Sequence, residues 1–228
     1  MSVDPAGPKR LVRVAVTRPA DQAKELAERI EGLGCEAVVW PLIAIEPLGD
    51  EAIDASGYDW LVVTSPNGAS ELARRLARPP SRIAAIGPGT AAVLRRYALE
   101  PDLVPRVSTQ EELVAEFPTP AGRVLLAAAE GARRLVVDEL DADFLPLYRT
   151  LELDPADVPQ VDLVLLASPS AARVLARTRA RAVPVVVIGP QTAAAAREFG
   201  LEIAAEAETH DLDGLVAALE RVLPPTGR

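Results

Sequence analysis

Histidine and cysteine are nearly absent from this 228-residue chain, which contains one of each. Cys35 cannot form an internal disulfide, and its place between a predicted helix and a predicted strand favours a small buried residue over a reactive thiol. His210 has no neighbours in the sequence for a metal cluster or a His-centred triad. It is interpreted as a solvated loop or capping residue before a helix. No metal site is predicted.

Lysine, aromatic residues and long apolar runs are also scarce. The formal net charge is −9, which argues against a nucleic-acid-binding protein because phosphate contacts need a basic surface. No run approaches the ~20 apolar residues of a membrane span, and the first ten residues lack the apolar segment of a signal peptide. We therefore expect a cytoplasmic protein without nucleic-acid or membrane partners. Aromatic residues make up only 4%, so Ala, Val and Leu must fill the core.

Short β-branched runs alternate with segments of helical period along most of the chain. Examples are the apolar runs Val12–Val16 and Trp60–Thr64 and the helical segment Ala20–Leu33. Continuous apolar strands that alternate with helices are typical of parallel sheets covered on both faces. The predicted fold class is α/β, with parallel sheets flanked by helices.

The second half of the chain repeats motifs of the first. The segment DWLVVTSPNGASELARRL, which starts at Asp59, matches VDLVLLASPSAARVLAR, which starts at Val161. Each is followed by a similar turn, IGPGTAA from Ile86 and IGPQTAA from Ile188. The repeat is about a hundred residues long, which indicates two similar domains and not a solenoid.

The two domains are predicted to be interleaved. Two extended segments, PLIAIEPL and PLYRTLEL, carry proline and alternate, which suits connecting strands better than buried central ones. We expect domain 1 to comprise residues 1–41 and 154–228 and domain 2 to comprise residues 49–146. Residues 42–48 and 147–153 would form a two-stranded linker. A tandem arrangement is the alternative that the pattern leaves open.

The repeated turns are the candidate ligand sites. Each begins where a strand ends in Ser-Pro or Gly-Pro and a helix starts, and ligands of open parallel sheets bind at that edge. A helix N-terminus attracts anions through its free N–H groups and its dipole. Simple helix capping is the alternative for any one turn. The candidate binding residues in these turns are Thr64, Ser65, Asn67, Gly87, Thr90, Ser168, Ser170, Gly189 and Thr192.

Dinucleotide binding is a weaker interpretation of the same turns. Gly87 to Ala92 fits the pattern G-x-G-x-x-A after a strand. However, Pro88 removes a backbone N–H where a pyrophosphate would bind, and Gln191 replaces the middle glycine in the second copy. These departures argue against a dinucleotide.

Two further residues are candidates outside the repeated turns. Tyr148 lies in the second extended segment, and Arg18 follows the first predicted strand. Tyr148 either takes part in the chemistry or packs its ring, and Arg18 either binds substrate or is a solvated arginine at a helix start. The pattern leaves both pairs of alternatives open.

Six motifs and their order in the chain resemble the uroporphyrinogen-III synthase family. They are VTRPADQAKEL, TSPNGA, IGPGTA, LPLYRT, ASPSAA and IGPQTA. The resemblance covers about Val12 to Leu223. It implies a monomeric lyase that needs neither metal nor organic cofactor and acts on hydroxymethylbilane, a linear tetrapyrrole with eight carboxylates. The reaction loses the terminal hydroxyl as water and closes the ring while the last pyrrole inverts through a spiro intermediate. The rival hypothesis is a non-catalytic two-lobed protein that binds a tetrapyrrole or another polyanion.

The resemblance also assigns roles to individual residues. The family's linker tyrosine corresponds to Tyr148, which is the candidate catalytic residue, and its N-terminal arginine corresponds to Arg18. Its small hydroxyl residues correspond to Thr64, Ser65, Thr90, Ser168, Ser170 and Thr192. Ala167 departs from the pattern, because the first half of the chain has Thr64 at the matching position.

Overall fold

The structure is a computed structural model that describes residues 10–224. These residues form two compact units, one made of residues up to 44 and from 152 onward, the other of residues 45–151. The divisions fall inside the two segments predicted as linkers. Each division lies within a strand, the first in Ile43–Pro47 and the second in Asp143–Glu152.

The first unit contains nine strands and helices. They are β1 (Arg13–Val16), α1 (Lys24–Gly32), β2 (Glu36–Val39), β10 (Leu163–Leu166), α6 (Pro169–Leu175), β11 (Val185–Val187), α7 (Pro190–Glu198), β12 (Ile203–Glu206) and α8 (Leu212–Val222). Two short 3-10 turns, Ala20–Gln22 and Arg179–Ala182, complete it. The strands form a five-stranded sheet in the order β12-β11-β10-β1-β2, and every pair in it is parallel.

The strands of the first unit are apolar on both faces because helices cover both. Val164 and Leu166 of β10 pack with α6 and α7, whereas Leu165 points to the opposite face and packs with α1 and α8. Alternate side chains of a strand point to opposite faces, so a strand buried on both sides must be a continuous apolar run. The run LVLL meets this requirement.

The second unit contains the remaining elements. They are β3 (Ile43–Pro47), β4 (Ile53–Asp54), β5 (Trp60–Val63), α2 (Pro66–Arg75), β6 (Leu76–Arg78), β7 (Arg82–Ala85), α3 (Pro88–Arg96), α4 (Gln110–Ala115), β8 (Val124–Ala129), α5 (Leu135–Leu140) and β9 (Asp143–Glu152). Its five-stranded sheet has the order β3-β9-β8-β5-β7. The pairs from β9 to β7 are parallel, and a separate two-stranded sheet joins β4 to β6.

The two units share one plan. In the second unit α2 and α3 pack on one face of the sheet, and α4 and α5 pack on the other. Strands β10, β11, β1 and β2 of the first unit therefore correspond to β5, β7, β8 and β9 of the second. The predicted α/β class with two similar, interleaved domains is confirmed. Strand β12 was not predicted, because its run IAAE has only one β-branched residue, Ile203, and no aromatic one.

A buried arginine holds the segment that follows β3 in place through hydrogen bonds. Arg75, at the end of α2, is 8% exposed, and its guanidinium donates to the carbonyl oxygens of Leu48 and Glu51, both at 3.0 Å. Glu71 lies 3.8 Å from Arg75 and also pairs with the neighbouring Arg74. A buried cation is costly unless it has hydrogen-bond acceptors and a counter-charge, and these contacts give Arg75 both.

We expect Arg75→Gln to destabilise the protein by about 1–3 kcal/mol, because both backbone carbonyls lose a charged donor while Glu71 keeps Arg74. Arg78→Gln is the matched control, since Arg78 forms only an exposed pair with Asp54 and such pairs contribute little. Urea denaturation of the two variants measures the difference. Equal stabilities would contradict a structural role for Arg75.

Candidate active site

In the Ser-Pro turn of the second unit, the Ser65 side chain caps the helix that follows. Ser65 precedes α2, and its Oγ accepts from the backbone N–H of Gly68 at 3.0 Å. Pro66 has no N–H, so only the N–H of Asn67 in the first turn lacks a partner. Thr64 is half-buried at the end of β5. The capping interpretation therefore holds here, and little of the helix N-terminus is left for a ligand.

The Gly-Pro turn of the second unit is open. Gly87 precedes α3 and provides no side-chain cap, and Pro88 occupies the first helical position. The N–H groups of Gly89 and Thr90 therefore have no acceptor in the helix. The Thr90 side chain is 2% exposed, and its hydroxyl makes no hydrogen bond to any residue that the structure describes. This turn therefore has two N–H groups without a partner among the described residues.

The first unit repeats the same contrast. Ser168 Oγ accepts from the N–H of Ala171 at 3.2 Å, which leaves one N–H, that of Ser170, without a partner in a helix of seven residues. Gly189 precedes α7 without a side-chain cap, and Thr192 at the third helical position is 3% exposed. The Thr192 hydroxyl has no hydrogen-bond partner within residues 10–224. In both units the serine turn is closed and the glycine turn is open.

Parallel register places both turns of a unit at the same sheet edge. Val63, the last residue of β5, pairs with Ala85, the last of β7. Leu166 of β10 likewise pairs with Val187 of β11. The carboxyl ends of these strands therefore lie level, and the helices that follow them begin side by side.

Tyr148 lies beside the Ser-Pro turn of its own unit. It belongs to β9, is 4% exposed, and its Oη is 2.8 Å from Ser65 Oγ. Its ring packs in the core with residues of β5 and α2, including Val63 and Leu72. Burial raises the pKa of the Tyr148 phenol, and the hydrogen bond with Ser65 acts in the opposite direction. Tyr148 thus both packs in the core and takes part in a polar contact at the site edge.

Arg18 is half-buried just after β1, at the corresponding edge of the first unit. Its guanidinium donates to Gln22 Oε1 at 3.1 Å. Burial lowers the pKa of Arg18, whereas Glu25 and Asp21 raise it. Arginine nevertheless stays positive at neutral pH. Among residues 10–224 the Arg18 guanidinium thus has one hydrogen-bond partner, the neutral Gln22, and lies in the field of two carboxylates, Glu25 and Asp21.

Two residues at the same edges were not recognised from the sequence. Thr17 is buried, and its Oγ1 donates to the carbonyl of Leu165 at 2.6 Å, which ties the end of β1 to β10. Gln110 is buried at the start of α4, and its Oε1 has no hydrogen-bond partner among the described residues. The sequence signal for each was its position: Thr17 directly follows a predicted strand, and Gln110 directly follows the helix-capping Thr109.

His210 lies in a loop and is partly exposed, which agrees with the loop interpretation, but it is not the cap of the helix that follows. Asp211 caps α8 by accepting from the N–H of Gly214 at 2.8 Å, and His210 is half-buried against Gly189. The sequence does not show this contact because the two residues lie in different loops. Cys35 is buried as expected, and burial raises the pKa of its thiol.

Each unit is thus an α/β domain with one sheet edge at which a helix N-terminus without a side-chain cap lies beside a buried threonine. Among residues 10–224 no helix is long and apolar enough to cross a membrane, and no three His, Cys, Asp or Glu side chains are grouped to hold a metal ion.

Comparison with known proteins identifies the family. The family model described as uroporphyrinogen-III synthase HemD matches residues 24–217. A uroporphyrinogen-III synthase of Synechococcus elongatus is 27% identical over 250 aligned positions, covering 91% of this chain and 94% of that protein. The chloroplastic uroporphyrinogen-III synthase of Oryza sativa subsp. japonica is 26% identical over 247 positions, covering 94% and 82%.

A solved structure has the same fold. A mutant uroporphyrinogen III synthase of the extremely thermophilic bacterium Thermus thermophilus matches with a TM-score of 0.61 and 19% identity, over 92% of this chain and 98% of that one. The chain belongs to the uroporphyrinogen-III synthase family. The predicted lyase of tetrapyrrole biosynthesis is confirmed at this level, and the non-catalytic alternative is not favoured.

The buried phenol of Tyr148 should ionise only above the ordinary pH range of tyrosine. Its folded-state pKa is raised, so its contribution to the free energy of unfolding is present below the unfolded pKa and is lost as the pH rises through the folded pKa. Subtracting the phenolate absorbance titration of Tyr148→Phe from that of wild type isolates this group. Tyr97→Phe, which removes an exposed phenol, is the control. Ionisation of Tyr148 in the ordinary range would contradict its burial.

Proposed function

We propose that this chain converts hydroxymethylbilane to uroporphyrinogen III, with loss of water and inversion of the last pyrrole ring. The observation that carries the proposal is the open Gly-Pro turn in each unit, with its two free N–H groups and its buried threonine. Such turns attract carboxylates, and the substrate carries eight of them. Family membership supports the reaction, and the turns indicate how a chain of negative net charge can hold this polyanion.

Local fields, and not the overall charge, must attract the substrate. A helix N-terminus carries about half a positive charge, and its effect falls off within the first turn. Thr90 and Thr192 lie at the third helical positions, so a carboxylate at either turn would meet backbone N–H groups beside a hydroxyl. Arg18 adds a full positive charge at the edge of the first unit. The Ser-Pro turns would contribute fewer contacts, because Ser65 and Ser168 already cap their helices. This applies also to their neighbours Thr64, Asn67 and Ser170.

Tyr148 is the proposed general acid. Hydroxide is a poor leaving group, so the substrate's C–O bond would break as the phenol proton moves to the departing oxygen, which leaves as water. If Ser65 donates its hydroxyl proton to Tyr148 Oη, the phenol proton is free for the substrate. The electron-rich pyrroles help to expel the hydroxyl. A buried phenolate is costly, so Tyr148 would regain a proton at once from the pyrrole N–H of the substrate cation, which becomes the neutral azafulvene and restores the phenol.

Substrate folding would supply the remaining specificity. Hydroxymethylbilane is intrinsically reactive and closes without enzyme to isomer I, so the protein must hold the last pyrrole in the geometry that leads to inversion. This is catalysis by positioning and electrostatic stabilisation, which needs fixed donors more than a nucleophile. The proposal requires neither a metal nor an organic cofactor. We propose that the protein acts as a monomer in the cytoplasm.

Turnover of hydroxymethylbilane is the direct test. We expect the protein to yield isomer III, detected by oxidising the products and resolving isomers I and III. Incubation without protein is the control and should yield isomer I alone. Tight binding of the substrate with isomer I as the sole product would support the polyanion-binding alternative instead.

Tyr148→Phe should lower kcat by about tenfold to a hundredfold, at or below the low end for general acid catalysis, because only the donor is lost. The remaining product should still be isomer III, and the melting temperature should change little, because the ring still packs. Tyr97→Phe serves as the control for loss of a phenol. Unchanged kcat in Tyr148→Phe would reduce Tyr148 to a packing residue and leave substrate folding as the whole mechanism.

A further inference from the structure

One side chain covers the glycine of each open turn. In the second unit Ser108 lies over Gly87, and in the first unit His210 lies over Gly189. Both pairs are separated by 21 positions, and both covering residues immediately precede a helix-capping residue, Thr109 or Asp211. The covering residue therefore belongs to the repeated plan of the two units.

Close approach explains why these turns contain glycine. The φ angles of Gly87 and Gly189 are −179° and 167°, which is extended backbone open to any residue. A Cβ on Gly189 would lie 2.8 Å from His210 Cδ2 and 3.3 Å from Nε2, and one on Gly87 would lie 2.8 Å from Ser108 Cβ. Absence of a side chain thus brings a polar group of another loop directly onto the helix N-terminus.

The imidazole of His210 is available to a ligand. It is half-buried, and neither ring nitrogen makes a hydrogen bond to a residue in the described range. The ring does not cap α7, so the N–H groups of Gln191 and Thr192 stay free beside it. Imidazole always carries at least one N–H donor. A ring N–H donor beside a helix N-terminus whose own N–H groups lack acceptors suits an anion.

We propose that His210 is a substrate-positioning residue, whose ring N–H donates to the carboxylate held at the Gly189 turn. Ser108 has the matching place in the second unit, with a shorter side chain and a hydroxyl donor. The inference rests on the proposed function and deepens it: the two glycine turns would hold chemically similar carboxylates through different donors. A side chain of different length at each turn would set different distances to the two carboxylates.

Three substitutions test the proposal in the full chain. His210→Ala should raise KM for hydroxymethylbilane about 3- to 10-fold with little change in kcat, because a charge-assisted hydrogen bond made in both ground and transition states is lost. His210→Gln keeps an N–H donor and should recover most of the affinity. Glu208→Gln is the control, because Glu208 lies on the same loop and, among the described residues, its side chain pairs with Arg221 at the surface.

The single histidine gives a second readout in the unaltered protein. Its ring signals in an NMR spectrum belong to His210 alone, and they should shift when uroporphyrinogen III, kept reduced, is added at constant pH. Unshifted ring signals, or equal KM values for wild type and His210→Ala, would overturn the proposal and leave His210 as packing. Absence of isomer III from wild type would instead overturn the proposed function.

Discussion

The parallel pairing of neighbouring strands is the constraint on which the candidate site depends. Because β5 ends level with β7, and β10 ends level with β11, two helices begin side by side at one edge of each sheet. Both faces of each sheet are buried under helices, so a slip of register would move every side chain out of the packing that its face provides. Packing of alanine, valine and leucine in the core therefore fixes where the backbone N–H groups at the helix N-termini lie.

Capping divides the four turns into two kinds. A serine that accepts from its own helix completes the N-terminus locally, which stabilises the helix by about 1 kcal/mol and removes a donor from the site. The glycine turns lack this side-chain hydrogen bond in both units, which costs roughly a few tenths of a kcal/mol relative to serine. An N-terminus that lacks its cap and lies beside a buried threonine is a local cost to folding that a bound carboxylate would offset. The recurrence of this cost in both units favours a ligand over chance.

The scarcity of conventional catalytic groups fits a reaction whose substrate is itself reactive. Within residues 10–224, Tyr148 is the phenol held at a site edge, and its burial keeps it protonated, which suits a donor and not a base. Its contact with Ser65 links the tyrosine to the start of α2 within one unit. Packing in the core does not prevent the proposed role as a proton donor, so the two interpretations of Tyr148 are compatible.

The sequence by itself determined the α/β class, the internal repeat and the strand-end turns, because these depend on local patterns of apolar, proline and glycine residues. It also located Tyr148 and the threonines of the glycine turns. Only the tertiary structure decided which turns are capped, which partner Tyr148 contacts, and that His210 lies on Gly189. Those outcomes depend on contacts between loops far apart in the chain, and such contacts follow from sheet order and close approach, which local patterns do not encode.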